Sequence, residues 1–545
     1  MLQIRIILIF KTLYFWLSFL FLTFGILSGQ KSELSTEFHK NNRKQLREKL
    51  PNNSVAVYFS APVRNRANDV DFEYHQDPNF YYLTGWEEPH AVLLVYNTTQ
   101  TDEEGTYNEK LYVRDRNARN EMWNGLQLGV SGALKMGFDR VVNKTEFTKQ
   151  VFDFDRFDTV LMFDFQNDVR NKVNDTSDLY DLQKHFKKQI NYPDDFDAAR
   201  YRLYQQIRTV NKDEVPGLKR RIYYMITSDK TLEDDPVIQD FLQIDENTLL
   251  TDLKTRSAFL LKDYNFDIDQ LSYIMASLRE KKSSEEIILL KKAIRISAQG
   301  QIEVMKAIHP EMTEREVQGI HQLVFKIYGA AHEGYPSIVG AGENACVLHY
   351  ITNDKTDLKK QLILMDLGAE YKGYTADVTR TIPVSGIFSL EQRALYQIVY
   401  DAQTAGINAA INGATFRAVS EATNEVVQNG LLTLGLIEKK EDFRQYLPHG
   451  ISHHIGLDVH DPGLYDKLSP SMVITVEPGI YIPEGSPCDP KWWNIGIRIE
   501  DDILITDTIP VNLSSDAPRS WKDIEAMMAK KSALDDFVLP ELSID

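Results

Sequence analysis

Disulfide bonds, membrane-spanning runs and excess positive charge are scarce or missing in this sequence. Only two of the 545 residues are cysteines, Cys346 and Cys488, so no disulfide framework supports the fold, and one bridge between them is the most that the sequence allows. After the N-terminal segment, no apolar run is long enough to span a bilayer. The 61 Lys and Arg against 79 Asp and Glu give a net charge of −18, which argues against non-specific binding to nucleic acid.

The N-terminal segment has the pattern of a targeting signal. Arg5 and Lys11 precede an apolar stretch, residues 12–29, and polar sequence begins at Gln30. This pattern predicts a secretory signal peptide at residues 1–29 and a secreted or periplasmic protein. The apolar stretch also approaches the length of a membrane span, so an uncleaved anchor is the alternative, and only then would the membrane be a partner.

The remaining chain has the composition of a globular protein, with 43% hydrophobic and 11% aromatic residues, and is long enough for two or three domains. Residues 36–275 are expected to form an N-terminal α/β domain with strands at 55–58 and 91–95. Residues 283–530 are expected to form a second domain, which begins with the capping-box pattern of Ser283 and Glu286. The polar stretch 165–255 has no predicted role.

Long helices alternate with strands in the second domain. This order predicts an α+β fold in which a curved antiparallel sheet is backed by helices. The helices are expected at 284–308, 313–329, 390–412 and 415–435.

Two aspartates in this domain fall on a predicted β-hairpin. Residues 361–371 and 374–382 have strand patterns, and the Lys-Gly pair between them suits a two-residue turn. In the register set by that turn, Asp366 faces Thr379. Because side chains alternate between the two faces of a strand, Asp366 and Asp377 become diagonal neighbours on one face, close enough to share an ion.

Two glutamates further along the chain also lie in or next to predicted apolar strands. Glu477 stands at the end of a predicted strand, directly before a Pro-Gly pair. In residues 495–500 the isoleucines take one face, while Arg498 and Glu500 take the other. An acidic residue in so apolar a strand indicates either a functional group or an edge strand with a solvated face.

Residues 449–460 contain four histidines, a density that favours a functional role. His449 and His453 are four apart, as in helical zinc motifs, but two glycines and a β-branched valine argue against a helix. An extended segment lets only some of these side chains face one ion, and His453 is the expected ligand. His349, 17 residues before Asp366, is a further candidate.

These groups make sense together if they converge on metal ions. Four carboxylates and one imidazole carry too much negative charge for one site without cations, and two divalent ions would balance it as a hydrolytic centre. Oxygen-rich ligation with a single imidazole suits Mn²⁺ better than Zn²⁺. The expected ligands are Asp366, Asp377, His453, Glu477 and Glu500.

The order and spacing of the motifs resemble those of the Xaa-Pro aminopeptidases, also called aminopeptidase P, which are metallopeptidases with the pita-bread fold. The resemblance covers most of residues 283–530 and extends more weakly to residues 79–92. It rests on residues 335–349, 364–380, 448–453, 459–463, 475–481 and 497–502.

The resemblance implies a role for each matched position. The family's metal ligands fall on the same five residues. His349 and His460 are implied to be catalytic histidines that do not bind metal, and Arg498 the active-site arginine. The chemistry of a two-metal site makes Glu477 the expected proton acceptor as well as a ligand. The implied reaction removes an N-terminal residue from peptides with proline at the second position. A homo-oligomeric assembly remains open.

Two other functions stay open at this point. A prolidase would have the same ligands but act on Xaa-Pro dipeptides. A non-catalytic peptide-binding protein on the same fold is the other alternative, and the intact set of five ligands argues against it. One departure from the family pattern is His454, which stands where members often carry an aromatic residue.

Overall fold

The computed structural model describes residues 34–166, 168–171, 173, 177–244, 247–262, 264–359 and 361–536. The expected signal peptide, residues 1–29, lies outside these ranges. Within them, no helix combines the length and apolar character that a membrane span requires. Cys346 and Cys488 are both free thiols, so the single bridge that the sequence allows is not formed.

The N-terminal half is built on one six-stranded sheet. Successive side chains of its strands enter different cores, so that Ala56 and Tyr58 pack on one face while Val55 and Val57 pack on the other. This explains why the strand at 54–59 is apolar throughout. The strand order is Arg140–Asn143, Gly105–Val113, Val92–Asp102, Ser54–Phe59, Thr159–Leu161, Phe266–Asp267.

Helices cover this sheet and continue into the polar stretch 165–255. Three aspartates in that stretch start helices, since Asp178, Asp197 and Asp235 each accept a backbone N–H of the first turn. Several of these helices share a small apolar core of their own. The helices of this half are Thr36–Lys49, Pro78–Thr84, Ala118–Asn124, Gly129–Leu134, Lys144–Lys149, Leu179–Gln189, Ala198–Thr209, Val215–Ser228, Pro236–Gln243, Asn247–Leu261 and Gln270–Arg279.

The C-terminal half contains the four expected long helices. They differ from the expected bounds by at most a few residues because three begin with a capping box, at Ser283, Thr313 and Ser389, and the fourth with a threonine cap. The observed helices are Ser284–Ala307, Glu314–Ile327, Leu390–Ala409, Phe416–Thr433 and the shorter Trp521–Met528.

These helices pack on several small sheets whose strands all pair antiparallel. One large apolar core lies between the helices and the strands. The strands are His332–Glu333, Ile338–Ala341, Leu362–Asp366, Ala369–Tyr371, Tyr374–Thr375, Thr379–Pro383, Val473–Val476, Gly479–Ile482, Ile495–Arg498, Asp501–Leu504 and Val511–Asn512.

The aspartate hairpin has the expected register but is not continuous. Asp366 pairs with Thr379, and Tyr371 pairs with Tyr374. Both strands are interrupted near Gly368, so the base and the tip of the hairpin belong to different sheets. A Cβ atom at residue 368 would lie 2.1 Å from the carbonyl oxygen of Ala376, so only glycine permits this close approach.

Candidate metal centre

The two aspartates of the hairpin are joined by one tyrosine. The Tyr335 hydroxyl lies 2.5 Å from Asp366 Oδ1 and 2.6 Å from Asp377 Oδ1. The tyrosine ring fits there because Gly368 has no side chain, and a Cβ would come within 2.4 Å of the ring. Arg498 Nη2 donates to Asp366 Oδ2 at 2.6 Å. The hairpin therefore brings both carboxylates to one face, as its register predicts.

The imidazole of His453 presents an unprotonated nitrogen to the same place. Its Nδ1 lies 2.9 Å from the carbonyl oxygen of His454, so Nδ1 carries the proton and Nε2 carries the lone pair. Burial lowers the pKa of His453 to about 4, which keeps the ring neutral. Its Nε2 lies 3.6 Å from Asp377 Oδ2 and 3.6 Å from Glu477 Oε1. A lone pair facing two carboxylates is repulsive unless a cation lies between them.

The two glutamates complete the cluster. Glu500 Oε2 accepts a hydrogen bond from Thr379 Oγ1 at 2.6 Å, which ties it to the strand opposite Asp366. Glu477 follows directly after its strand, as expected. Among the described residues, Asp377, His453 and Glu500 can each place a donor atom within 4.8 Å of the others. This set of oxygen and imidazole donors fits a divalent metal ion.

The electrostatics of the cluster favour a bound cation. Burial, with repulsion from Glu500, raises the pKa of both Asp377 and Glu477 well above its usual range. Burial and the charge of Asp366 raise the pKa of Glu500 to about 7. Burial opposes ionisation of Asp366 too, but the charge of Arg498 and the hydrogen bonds from Tyr335 and Arg498 together outweigh it and lower the pKa of that carboxyl. Without cations, the protein would hold several of these groups only in protonated form.

The remaining site residues expected from the sequence surround the cluster. His460 is exposed, and its ring centroid lies 4.4 Å from that of His453 in an edge-to-face arrangement. His349 is exposed as well and lies near His449, whose pKa is lowered to about 4 by burial and by the charge of Arg498. Arg498 is buried and held by Asp366.

Sequence reasoning missed three hydroxyl groups that hold these residues in place. Tyr335 joins the aspartates, Thr379 binds Glu500, and the Tyr481 hydroxyl accepts from Arg498 Nη1 at 2.9 Å. The signal was available, since the two tyrosines begin and end motifs that carry the family resemblance. Their partners, however, follow only from the packed structure.

His454, the departure from the family pattern, turns away from the carboxylates. Its ring lies between Phe416 and Tyr465, with centroid distances of 5.0 and 4.9 Å. Burial lowers its pKa to about 3, so it packs as a neutral ring. It therefore fills the kind of apolar position that an aromatic residue would occupy.

Comparisons with known proteins agree with this arrangement. Residues 288–507 match the model of metallopeptidase family M24, and residues 39–156 match that of the aminopeptidase P N-terminal domain. The Xaa-Pro aminopeptidase of Escherichia coli K12 is 30% identical over 511 residues, which cover 91% of this chain and 98% of the relative. The solved structure of aminopeptidase PepP from Pseudomonas aeruginosa has a TM-score of 0.70 at 28% identity and covers 91% of this chain and 98% of that chain. Aminopeptidase P from E. coli with the inhibitor Pro-Leu gives the same values.

The fold, the buried donor cluster and these relatives define a metal-dependent hydrolase with an N-terminal and a catalytic region. The chain belongs to metallopeptidase family M24 and carries the aminopeptidase P N-terminal domain. The predicted family and the α+β fold with its preceding N-terminal domain are thereby confirmed, as is the prediction of a metal-dependent aminopeptidase. Use of a divalent metal follows from the same findings.

Proposed function

We propose that this protein removes the N-terminal residue from peptides that carry proline at the second position. The proposal further assigns two divalent ions, preferably Mn²⁺, to five ligands. These are Asp366, Asp377, His453, Glu477 and Glu500.

One observation carries the metal assignment. The neutral His453 directs its Nε2 lone pair towards carboxylate oxygens of Asp377 and Glu477, each 3.6 Å away, an arrangement of electron-rich groups that suits a cation bound between them. When bound, divalent ions supply Lewis acidity for the hydrolysis of a peptide bond. Four carboxylates with one imidazole form an oxygen-rich donor set, which supports Mn²⁺ over Zn²⁺.

The residues around the ligands have separate tasks in this proposal. Glu477, whose pKa burial and Glu500 raise, accepts the proton of the attacking water. The exposed His349 and His460 donate hydrogen bonds to the scissile carbonyl oxygen as negative charge develops on it. Arg498, fixed by Asp366, contributes a permanent positive charge at the same site.

The preference for proline is supported by the relatives and by the chemistry of the residue. The E. coli relative is named for Xaa-Pro peptides, and a related structure holds the inhibitor Pro-Leu. Proline has a fixed φ and no N–H, so a pocket shaped to its ring binds it with a small loss of conformational entropy. A third residue adds binding energy beyond the scissile bond, which favours longer peptides over dipeptides.

Metal content and peptide hydrolysis together test the proposal. We expect two divalent ions per chain and a higher kcat/KM for Xaa-Pro-Xaa than for Xaa-Pro or Xaa-Ala-Xaa with the same first residue. Asp377→Asn should lose at least one ion and most of the activity, whereas Asp516→Asn, which alters an exposed ion pair, should keep both. Faster cleavage of the dipeptide would indicate a prolidase, and peptide binding without hydrolysis would indicate a non-catalytic protein.

Export and domain limits are part of the same proposal. Residues 1–29 would be a cleaved signal peptide, with residues 36–275 and 283–530 as the two domains of the exported protein. N-terminal sequencing of the exported protein should give a start near Gln30. Retention of Met1 on membrane-bound material would favour the anchor instead.

A further inference from the structure

The segment that carries His349 has little regular structure of its own. It joins the strands Ile338–Ala341 and Leu362–Asp366, and its described residues form only the 3-10 turn Gly342–Cys346. Buried backbone groups in such a segment find their partners outside a helix or sheet ladder. What holds this segment therefore also determines where His349 lies.

One buried carboxylate binds the segment at both of its ends. Glu314 Oε1 accepts the N–H of Ala341 at 2.8 Å and the Nδ2 of Asn344 at 3.0 Å. Glu314 Oε2 accepts the N–H of Lys355 at 2.8 Å and the hydroxyl of Tyr350 at 2.9 Å. The backbone is joined as well, because Glu314 N–H donates to the carbonyl oxygen of Lys355 at 3.0 Å. Tyr350 is the residue next to His349.

Glu314 is not needed to start the helix in which it stands. The capping box of the helix Glu314–Ile327 is formed by Thr313 and Glu316, which bind each other's backbone N–H groups. The Glu314 side chain is fully buried, and among the described residues no Lys or Arg forms an ion pair with it. Its charge is thus balanced by the four donors of the segment, a charge-assisted arrangement that is costly to disturb.

The held segment continues into the metal centre. Leu348 and Tyr350, which flank His349, pack in a small cluster that includes Tyr481 and Leu364. Inward packing of both neighbours leaves His349 exposed. The position of His349 relative to Tyr481 thus depends on how residues 341–355 are held.

We propose that Glu314 is a positioning residue that fixes residues 341–355 and thereby the orientation of His349. The inference rests on the proposed function only in taking His349 as a catalytic group. Among the described residues, the hydrogen bonds of the Glu314 side chain go to the segment and none goes to an expected metal ligand. Its effect on catalysis should therefore act through His349.

A double-mutant cycle tests this coupling in the full-length, metal-loaded protein. Glu314→Gln keeps the shape of the side chain but replaces one acceptor oxygen with a donor. We expect kcat/KM for an Xaa-Pro-Xaa peptide to fall roughly 10- to 100-fold, the scale of a small misplacement in an active site. Metal content should stay at the parent value. In the His349→Ala background the same change should lower kcat/KM by no more than about twofold, since the group it positions is gone.

Two further measurements separate positioning from general damage. Asp357→Asn makes the matching carboxylate-to-amide change at an exposed residue two positions beyond residues 341–355 and should leave kcat/KM within about twofold of the parent. Hydrogen exchange of the amides in residues 342–355 should accelerate in Glu314→Gln.

The outcomes distinguish the inference from the function on which it rests. The positioning role would be overturned if the losses in kcat/KM caused by Glu314→Gln and His349→Ala multiplied in the double variant. It would also be overturned if Glu314→Gln left both kcat/KM and amide exchange at the parent values. If His349→Ala is fully active, the proposed role of His349 fails, and with it the catalytic part of this inference. Faster amide exchange in Glu314→Gln would then show only that Glu314 fixes the conformation of residues 341–355.

Discussion

Single residues determine how much negative charge the site can hold. The pKa of Asp366 is lowered because Arg498 and the Tyr335 hydroxyl together offset its burial. Burial and neighbouring carboxylates raise the pKa values of Asp377, Glu477 and Glu500, and the charge of Arg498 does not offset this at either glutamate. Those three groups are costly to ionise in the metal-free protein and favourable once cations are bound. Metal affinity at this site should therefore depend strongly on pH.

We expect metal binding to release protons and to strengthen as the pH rises. Glu500 has its pKa raised from 4.5 to about 7, so between these values the folded, metal-free protein binds more protons than the unfolded chain. The contribution of Glu500 to metal-free stability therefore falls as the pH rises through this window, while metal affinity increases. Titration calorimetry with Mn²⁺ at pH 5.5, 6.5 and 7.5, in buffers of different ionisation enthalpy, measures the metal affinity and the number of protons released. A pH-independent affinity without proton release would contradict the assignment.

The hydroxyl of Tyr335 should contribute to metal affinity although it is not an expected ligand. It lies within hydrogen-bond distance of both Asp366 and Asp377. Tyr335→Phe should weaken metal binding by roughly 10- to 100-fold, the usual effect of removing a group that orients ligands. Tyr273→Phe, at an exposed tyrosine, is the control. Equal metal affinity in both variants would show that the hydroxyl does not orient the aspartates.

At the scale of elements, local signals predicted the helices better than the strands. Three of the four long C-terminal helices begin at capping boxes, which need only a few adjacent residues such as Ser283 and Glu286. The register of the aspartate hairpin followed from its two-residue turn. Its interruption near Gly368 did not, because that depends on Tyr335, distant in sequence, packing against the glycine.

The helices of the stretch 165–255 escaped prediction for a similar reason. Their aspartate caps are local signals, but the apolar residues are too sparse to indicate helices in the sequence alone. Their role becomes clear only from the small core that the helices share. The expected ligands could be named because each lies in a short motif. The groups that orient them, Tyr335, Thr379 and Tyr481, could not be assigned because their partners are more than 15 residues away in sequence.

The hairpin should tolerate no side chain at its interruption. A Cβ at Gly368 would lie 2.1 Å from the Ala376 carbonyl oxygen and 2.4 Å from the Tyr335 ring. Gly368→Ala should destabilise the protein by about 1–3 kcal/mol, the usual cost of overpacking, and should lower metal content. Gly319→Ala, at an exposed helical glycine with open space around it, should instead stabilise by about 0.5–1 kcal/mol. Urea unfolding and elemental analysis measure both variants, and similar behaviour of the two would refute the packing argument.

A buried ionic network joins the N-terminal and C-terminal halves of the molecule. Arg279, at the end of the last N-terminal helix, donates to Asn79 of the N-terminal half at 2.8 Å and to Asp461 of the C-terminal half at 2.5 Å. Lys282 donates to the other oxygen of Asp461 at 2.7 Å. Asp461 directly follows His460, so the junction between the two halves also holds the segment that presents this histidine.

Breaking this network should therefore affect stability and catalysis together. Arg279→Gln leaves Asp461 buried with Lys282 as its remaining cation, and we expect a loss of about 3 kcal/mol in the free energy of unfolding, the lower end of the cost for a broken buried pair. The value of kcat for an Xaa-Pro-Xaa peptide should fall while metal stays bound, since Asp461 is not an expected ligand. Arg295→Gln, which removes an exposed ion pair with Asp516, should change stability by less than about 0.5 kcal/mol and leave kcat unchanged. Urea unfolding followed by fluorescence, with kcat and metal content measured in parallel, tests these values. A change below about 1 kcal/mol in Arg279→Gln, or a loss of metal in place of a loss of kcat, would mean that the network does not couple the two halves to His460.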